Sequence, residues 1–235
     1  MGNSAVKALP DTKLSPGILH LDAGYDAMAI SPKLISKSHG VTKVKGQGSS
    51  WTKDSTEGGL LFKCKHKGVI HAHGEIEDSD GNIIATVVSK KRGISTLTDL
   101  VCRDHPTFDD QKPLTADELT NAGIKQDVTW YPFAKVLSER SATHAKATYS
   151  VVVGEEGAEL SFRDLYVGKK VKAANLVAKF ETADGHATIA KAASEGKSVS
   201  STVHLEVAIG VDTVAIVCLE NTLASRGADS VGSHI

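Results

Sequence analysis

The stretch VHLEVAIGVDTVAIVCLENTL, residues 203–223, decides the fold because the spacing of its apolar residues changes halfway. In its first half, apolar residues alternate with polar or small ones, which is the pattern of a strand with one buried face. After Gly210, residues 214–219 are apolar around the whole circumference of a helix. Asp212 or Thr213 is placed to cap the first turn. This helix is too short to cross a bilayer, so we expect it to lie inside the protein, within a closed sheet.

Short strand patterns recur along the middle of the chain, and Gly and Asp turn residues separate them. The predicted strands are residues 60–66, 69–77, 83–89, 128–137, 147–153, 158–167, 175–182 and 203–209. Many short strands at this spacing are typical of a sandwich or barrel. We therefore predict a mainly β fold.

The clearest turn lies in EDSDGNIIATV, residues 77–87. Three acidic residues could bind calcium, but Gly81 stands only fourth from Asp78, whereas an EF-hand loop requires glycine at its sixth position. Asp80-Gly81 instead predicts a two-residue type I′ hairpin turn. A similar sequence follows Asp184-Gly185, which indicates either a duplicated hairpin or a chance match of a common turn.

Three regions are expected along the chain. Residues 1–58 are rich in Gly, Ser, Lys and Pro and read as an amino-terminal arm with one or two strands, whereas residues 226–235 form a tail. Residues 59–225 form the β domain, with an insertion at about 102–127. In the insertion, residues 115–118 match a capping box, and Gly123 stands where a short helix would end.

Composition limits the classes of function. The net charge of -1 and a pI of about 6.8 give no overall basicity, so a nucleic-acid partner is not expected. Cys64, Cys102 and Cys218 are scattered and odd in number, and no secretory leader is visible, which favours a cytoplasmic protein. The longest apolar run, residues 214–219, is too short for a transmembrane segment, which leaves a peripheral membrane location open.

Two basic clusters are candidate binding sites for an anionic headgroup. Lys90, Lys91 and Arg92 end a predicted strand, and Lys169 and Lys170 follow Gly168. Arginine binds phosphate through paired hydrogen bonds, and lysine acts as a point charge. The alternative is that these cations are ordinary residues of exposed strand ends, where lysine discourages edge-to-edge pairing.

A metal site is the rival interpretation. Cys64, His66, His71 and His73 occupy alternate positions of two neighbouring strand segments, and a hairpin could bring all four together around zinc. Their spacing is not that of a zinc finger or an HExxH motif. No nucleophile elbow or phosphate-binding glycine loop is present in the sequence, so we predict a non-enzymatic protein without a cofactor.

The chain resembles the LURP-one-related proteins of the tubby C-terminal-like group, which also contains the phospholipid scramblases. The resemblance is carried by EVAIGVD at residues 206–212, the apolar helix at 214–219, and the DGN turn at 80–82 followed by Lys90-Lys91. It covers roughly residues 60–223. The long amino-terminal arm and the insertion depart from the family pattern.

The resemblance implies a closed antiparallel barrel of about twelve strands around a hydrophobic C-terminal helix, with Val214 and Ile216 buried as structural residues. It implies no catalysis. Tubby-like domains bind phosphoinositide headgroups through basic side chains, and plant LURP-one-related proteins are linked to pathogen defence. A role in signalling or defence, through anionic lipids or a protein partner at a membrane, is therefore expected, with a purely protein-binding scaffold as the alternative.

Overall fold

The computed structural model describes residues 29–36, 41–47, 50–53, 59–67, 73–92, 96–124, 127–140, 145–157, 159–173, 176–195 and 202–224. Within these residues the protein is an antiparallel sheet with two α-helices, which confirms the predicted mainly β fold. The strands are β1 Val41–Gln47, β2 Ser50–Lys53, β3 Leu60–Lys67, β4 His73–Asp78, β5 Ile83–Arg92, β6 Thr96–Arg103, β7 Tyr131–Arg140, β8 Ala145–Glu156, β9 Glu159–Ala173, β10 Leu176–Thr182, β11 Thr188–Glu195 and β12 Thr202–Ala208. The helices are α1 Ala116–Ala122 and α2 Thr213–Ala224.

The sheet follows the order of the chain, since each strand from β2 to β12 pairs antiparallel with the next. Strand β1 pairs with β2 and also with β12, where Val41 is opposite Ala208. The sheet therefore extends into residues 1–58, where β1 and β2 lie. Residues 226–235 lie outside the described part of the chain.

Helix α2 begins where the change of period predicts, and it is buried along its length. Val214, Ile216 and Leu219 are fully buried and belong to the main hydrophobic core. The helix packs against β7, β8, β9 and β10, and its apolar side chains share one core cluster with residues of these strands. Near its end, the Thr222 hydroxyl lies 3.2 Å from Asp99 Oδ2 of β6. The predicted internal helix is confirmed.

No helix among the described residues is both long enough and apolar enough to cross a membrane.

Asp212 caps α2, as predicted. Its Oδ1 accepts hydrogen bonds from the backbone N–H groups of Val214 at 2.9 Å and Ala215 at 3.4 Å. Oδ2 accepts from the N–H of Ile30 at 2.9 Å. The carboxyl is fully buried, and although these hydrogen bonds favour its charged form, burial outweighs them and raises its pKa to about 6.

The connection between β12 and α2 is held by the short segment 29–36. Ser36 donates its N–H to the carbonyl of Val211 at 3.0 Å, and its own carbonyl accepts from Gly210 at 2.8 Å. Gly210 has a φ of 80°, a conformation that a side chain would strain. This turn directs the chain from the end of β12 into α2, which is buried in the hydrophobic core.

The hairpin after β4 is confirmed, but its predicted turn type is wrong. Gly81 has a positive φ of 88°, whereas Asp80 does not, so the two positive φ values of a type I′ turn are absent at this turn. The loop is instead closed by Asp78, whose N–H donates to the carbonyl of Asn82 at 2.9 Å. The Asp78 carboxylate also accepts hydrogen bonds from the N–H groups of Asp80 and Asn82, both at 2.9 Å. These side-chain hydrogen bonds stabilise a loop that is longer than the predicted two-residue turn.

The insertion between β6 and β7 contains α1, as the capping box predicts. Thr115 accepts from the Glu118 N–H at 3.3 Å, while the Glu118 carboxylate accepts from the Thr115 N–H at 2.9 Å. Gly123 ends the helix with a φ of 71°. Leu119 packs with Cys102 and Trp130 in a small second core, which fixes the insertion against β6.

Candidate functional site

The two ends of the sheet differ in charge. One end, which we call the acidic end, carries the connections β4–β5, β6–β7, β8–β9 and β10–β11. Exposed carboxylates cluster there: Asp80, Asp104, Asp109, Asp110, Asp117, Glu118, Asp127, Glu156, Glu159 and Asp184. Lys112 at this end is paired with Glu155 at 3.1 Å. An anionic ligand would be repelled from the acidic end.

The opposite end, which we call the basic end, is where β5, β7 and β9 finish and β6, β8 and β10 begin. The predicted headgroup residues Lys90, Lys91 and Arg92 form the last three positions of β5. Their side chains lie outside the described part of the molecule, so their positions are known from the backbone alone. Lys169 and Lys170 lie near the end of β9, and both are exposed. The fold thus brings both predicted clusters to one end.

Strand register gives the separation of the two clusters. Arg92 is opposite Thr96, which is opposite Glu139. Glu139 is opposite Lys146, which is opposite Lys169. With neighbouring strands about 4.8 Å apart, the backbones of Arg92 and Lys169 lie about 19 Å apart along the sheet. The clusters share one end without touching, and exposed Lys146 lies between them.

Lys169 and Lys170 point to opposite faces of the sheet. Lys169 Nζ lies on the outer face, 2.7 Å from Glu181 Oε2. Lys170 is opposite Ala178, whose side chain belongs to the core, so Lys170 lies on the inner face at its exposed rim. Lys169 and Lys170 are therefore not placed to bind the same phosphate group together.

Glu181 joins two lysines on the outer face. Its Oε1 lies 2.7 Å from Lys179 Nζ, and its Oε2 lies 2.7 Å from Lys169 Nζ. The hydrogen bond from Lys169, and then that from Lys179, lowers the pKa of Glu181. The carboxylate is mostly covered, with 13% of its side chain exposed, against 52% for Lys169.

The inner rim holds a second carboxyl group. Glu220 lies in the last turns of α2, and burial raises its pKa to about 7, against an opposing attraction from Lys170. This carboxyl therefore changes charge near neutral pH.

Arg103 is a buried cation that serves the fold. Its guanidinium donates to the carbonyls of His105 and Pro106 at 3.2 Å and of Ala29 at 3.3 Å. It also lies 4.3 Å from the centre of the Phe133 ring. Burial lowers its pKa to about 10, and the group still remains charged at neutral pH. Its donors therefore join the loop after β6 to the segment 29–36.

The predicted metal set gains no support from the described residues. Cys64 is buried in the core, and desolvation raises the pKa of its thiol to about 12, which opposes the thiolate that zinc binds. The register pairs His66 with Gly74 and His73 with Lys67, so the two histidines are not opposite each other. His71, and the side chains of His66 and His73, lie outside the described residues. Among the described residues no group of three potential ligands is close enough to hold a metal ion.

Lys146, Lys179 and Glu181 were not predicted as site residues. Lys179 and Glu181 are two positions apart on β10, so strand alternation alone indicates a shared face. Lys146 carries no such signal, because only the pairing of β8 with β9 sets it opposite Lys169.

Comparison of the chain with protein-family models, with curated proteins and with solved structures finds no match.

Proposed function

We propose that this protein is a non-enzymatic binding module that docks on phosphate-bearing headgroups at an anionic membrane surface. The observation that carries the proposal is the common placement of residues 90–92 and of Lys169 and Lys170 at the basic end. The proposed contacts are Lys90, Lys91 and Arg92, with Lys169 on the outer face and Lys170 on the inner rim.

The proposed mechanism is electrostatic. A basic group close to an anionic membrane contributes about 1 kcal/mol, and this attraction falls away within a Debye length of about 8 Å at physiological salt. A single lysine is therefore weak, whereas several at one end act together. The carboxylates of the acidic end would be repelled by the same surface, so the two ends favour an end-on orientation.

We infer in addition that the sheet closes into a twelve-stranded barrel of the tubby C-terminal-like type, and that the chain is a LURP-one-related protein. Pairing of β1 with both β2 and β12 supports closure. Burial of α2 along its length supports the central helix that this family implies. A cytoplasmic, peripheral location and a role in signalling or defence belong to the same proposal.

Vesicle co-sedimentation tests the binding function. The native protein is compared with a Lys90→Gln/Lys91→Gln/Arg92→Gln variant on phosphatidylcholine vesicles with and without a phosphoinositide, at low and at physiological salt. A Lys33→Gln/Lys112→Gln variant is the control, because both lysines are exposed and lie near the acidic end.

We expect phosphoinositide-dependent binding that salt weakens, that the triple variant loses and that the control retains. Absence of sedimentation by the native protein at both salt concentrations would overturn the proposal. Equal binding by the native protein and the triple variant would remove residues 90–92 from the site.

A further inference from the structure

Three lysines stand side by side on adjacent strands of the outer face. Lys146 on β8 is opposite Lys169 on β9, which is opposite Lys179 on β10. Directly opposed residues have Cβ atoms about 5 Å apart, and like charges at that distance destabilise a sheet. We call Lys146, Lys169 and Lys179 the lysine row. A nearby anion would relieve this repulsion.

Glu181 is the carboxylate that forms ion pairs with the row, and it reaches two of the three lysines. Its carboxylate pairs with Lys169 and Lys179, both at 2.7 Å, so it offsets a single charge of the row. Lys146 is exposed and forms no ion pair within the residues that the structure describes. Glu139 on β7 is exposed and directly opposite Lys146, so with Glu181 and Glu139 both counted the row keeps an excess of one positive charge.

On the side of β11, the lysine row is bounded by an ion pair within the chain. Lys179 is opposite Lys191, which is buried and lies 2.9 Å from Glu206. That pair is already neutral and covered. The unneutralised charge is therefore confined to β8, β9 and β10.

We infer that the lysine row is a binding site for a phosphate dianion, and that Glu181 is an internal competitor which occupies it in the free protein. A dianion with three acceptor oxygens can contact all three lysines, whereas the carboxylate contacts two. The phosphate would displace the carboxylate from Lys169 and Lys179 and add Lys146. This inference deepens the proposed function, and the same chemistry fits a lipid headgroup or a soluble phosphate.

Opposite effects of two substitutions test the site. Lys146→Gln removes one contact and is expected to weaken binding about fivefold, in line with the contribution of one basic residue. Glu181→Gln removes the competitor and is expected to strengthen binding by a similar factor. Lys33→Gln/Lys112→Gln is the control and is expected to bind as the native protein does.

The measurements use phosphatidylcholine vesicles containing a phosphoinositide in one arm and soluble inorganic pyrophosphate in the other. A second readout is the pKa of Glu181, measured by NMR of its carboxyl carbon. The lysines hold that pKa low, and pyrophosphate is expected to return it toward its usual range.

The outcomes separate this site from the proposed function. Vesicle binding that depends on residues 90–92 but is unchanged in Lys146→Gln and Glu181→Gln would overturn the lysine row and leave the proposed function standing. Pyrophosphate binding with the opposite effects of the two variants, without vesicle binding, would support the row and overturn the membrane role. No response of the Glu181 pKa and no binding in either arm would overturn both.

Discussion

Asp212 accepts a hydrogen bond from the backbone N–H of Ile30 at 2.9 Å, across 182 residues of chain. The same carboxylate caps α2 through Val214 and Ala215. One buried side chain therefore holds the start of the internal helix and fastens to it a segment that precedes the first strand. Asp212 thus anchors the start of the helix, and the hydrogen bond between Thr222 and Asp99 anchors it near its end.

Removing this carboxylate should destabilise the protein strongly. Asp212→Ala leaves the buried N–H groups of Ile30, Val214 and Ala215 without their acceptor, and we expect the free energy of unfolding to fall by about 2–4 kcal/mol. Urea unfolding followed by circular dichroism measures this change. Asp212→Asn, which keeps one acceptor oxygen, should lose less. An unchanged midpoint in Asp212→Ala would show that the cap contributes nothing.

The internal position of α2 predicts intolerance of charge. Val214→Asp or Ile216→Asp would place an unpaired carboxylate in a fully buried site, and we expect either protein to fail to fold. Ile216→Val is the matched control and should cost about 1 kcal/mol. Far-ultraviolet circular dichroism and size-exclusion chromatography distinguish these results. A folded Ile216→Asp protein with native thermal stability would contradict the placement of the helix.

Because Glu220 is buried, we predict that the free energy of unfolding falls as the pH rises. Burial raises its pKa to about 7 in the folded protein, so folding binds a proton that is released as the pH passes through that value. The stabilisation is complete below the pKa of the unfolded chain, about 4.3, and is lost by about pH 8. Asp212 acts with the same sign at lower pH, since its pKa is about 6.

Thermal unfolding measured between about pH 5 and pH 8 tests this effect, which is on the order of 3 kcal/mol for Glu220. Glu220→Gln cannot titrate and should flatten the upper part of the pH profile. A profile that is identical in the native protein and in Glu220→Gln would rule out this carboxyl as the source.

Gly168 is a point of close contact between strand β9 and the hydrophobic core. A Cβ at this position would lie 3.0 Å from the Leu223 side chain and 3.1 Å from the Phe180 ring. We expect Gly168→Ala to cost about 1–3 kcal/mol through overpacking. At Gly154, on β8, nothing lies within 4 Å of such an atom, so Gly154→Ala is the control. Equal unfolding midpoints in urea for the two variants would contradict the packing of α2 against β9.

Local patterns in the sequence were sufficient for several elements. The helix cap at Asp212 and the capping box at Thr115 follow from signals within a few residues, and both predictions are confirmed. The turn at Asp80-Gly81 was assigned the wrong type because the carboxylate of Asp78 captures two backbone N–H groups, and this competition is not visible in the Asp-Gly pair alone.

Strand β6 was absent from the predicted strands because Asp99 interrupts its apolar pattern. Asp99 is buried and lies within hydrogen-bond distance of Thr222 of α2, a partner 123 residues away. A charged residue on the inner face can be recognised only when that partner is known. Sequence alone therefore could not assign this position.

The candidate site was predictable only in part. The charged clusters are visible in the sequence, and in a meander successive turns alternate between ends, so an acidic and a basic end could be anticipated. Strand alternation also indicates that Lys169 and Lys170 face opposite sides. The lysine row depends on register between three strands, which two bulges in the pairing of β8 with β9 shift. No local pattern supplies that register.

The most direct test of the central claim is to observe which end of the sheet meets the membrane. Vesicles containing a phosphoinositide and a headgroup spin-labelled lipid would be added to isotopically labelled protein, and broadening of backbone amide signals would be measured by NMR. We predict broadening at Lys146 and Lys169 and sharp signals at Asp80 and Asp184. Broadening at the acidic end, or equal sharpness at both ends, would contradict the account.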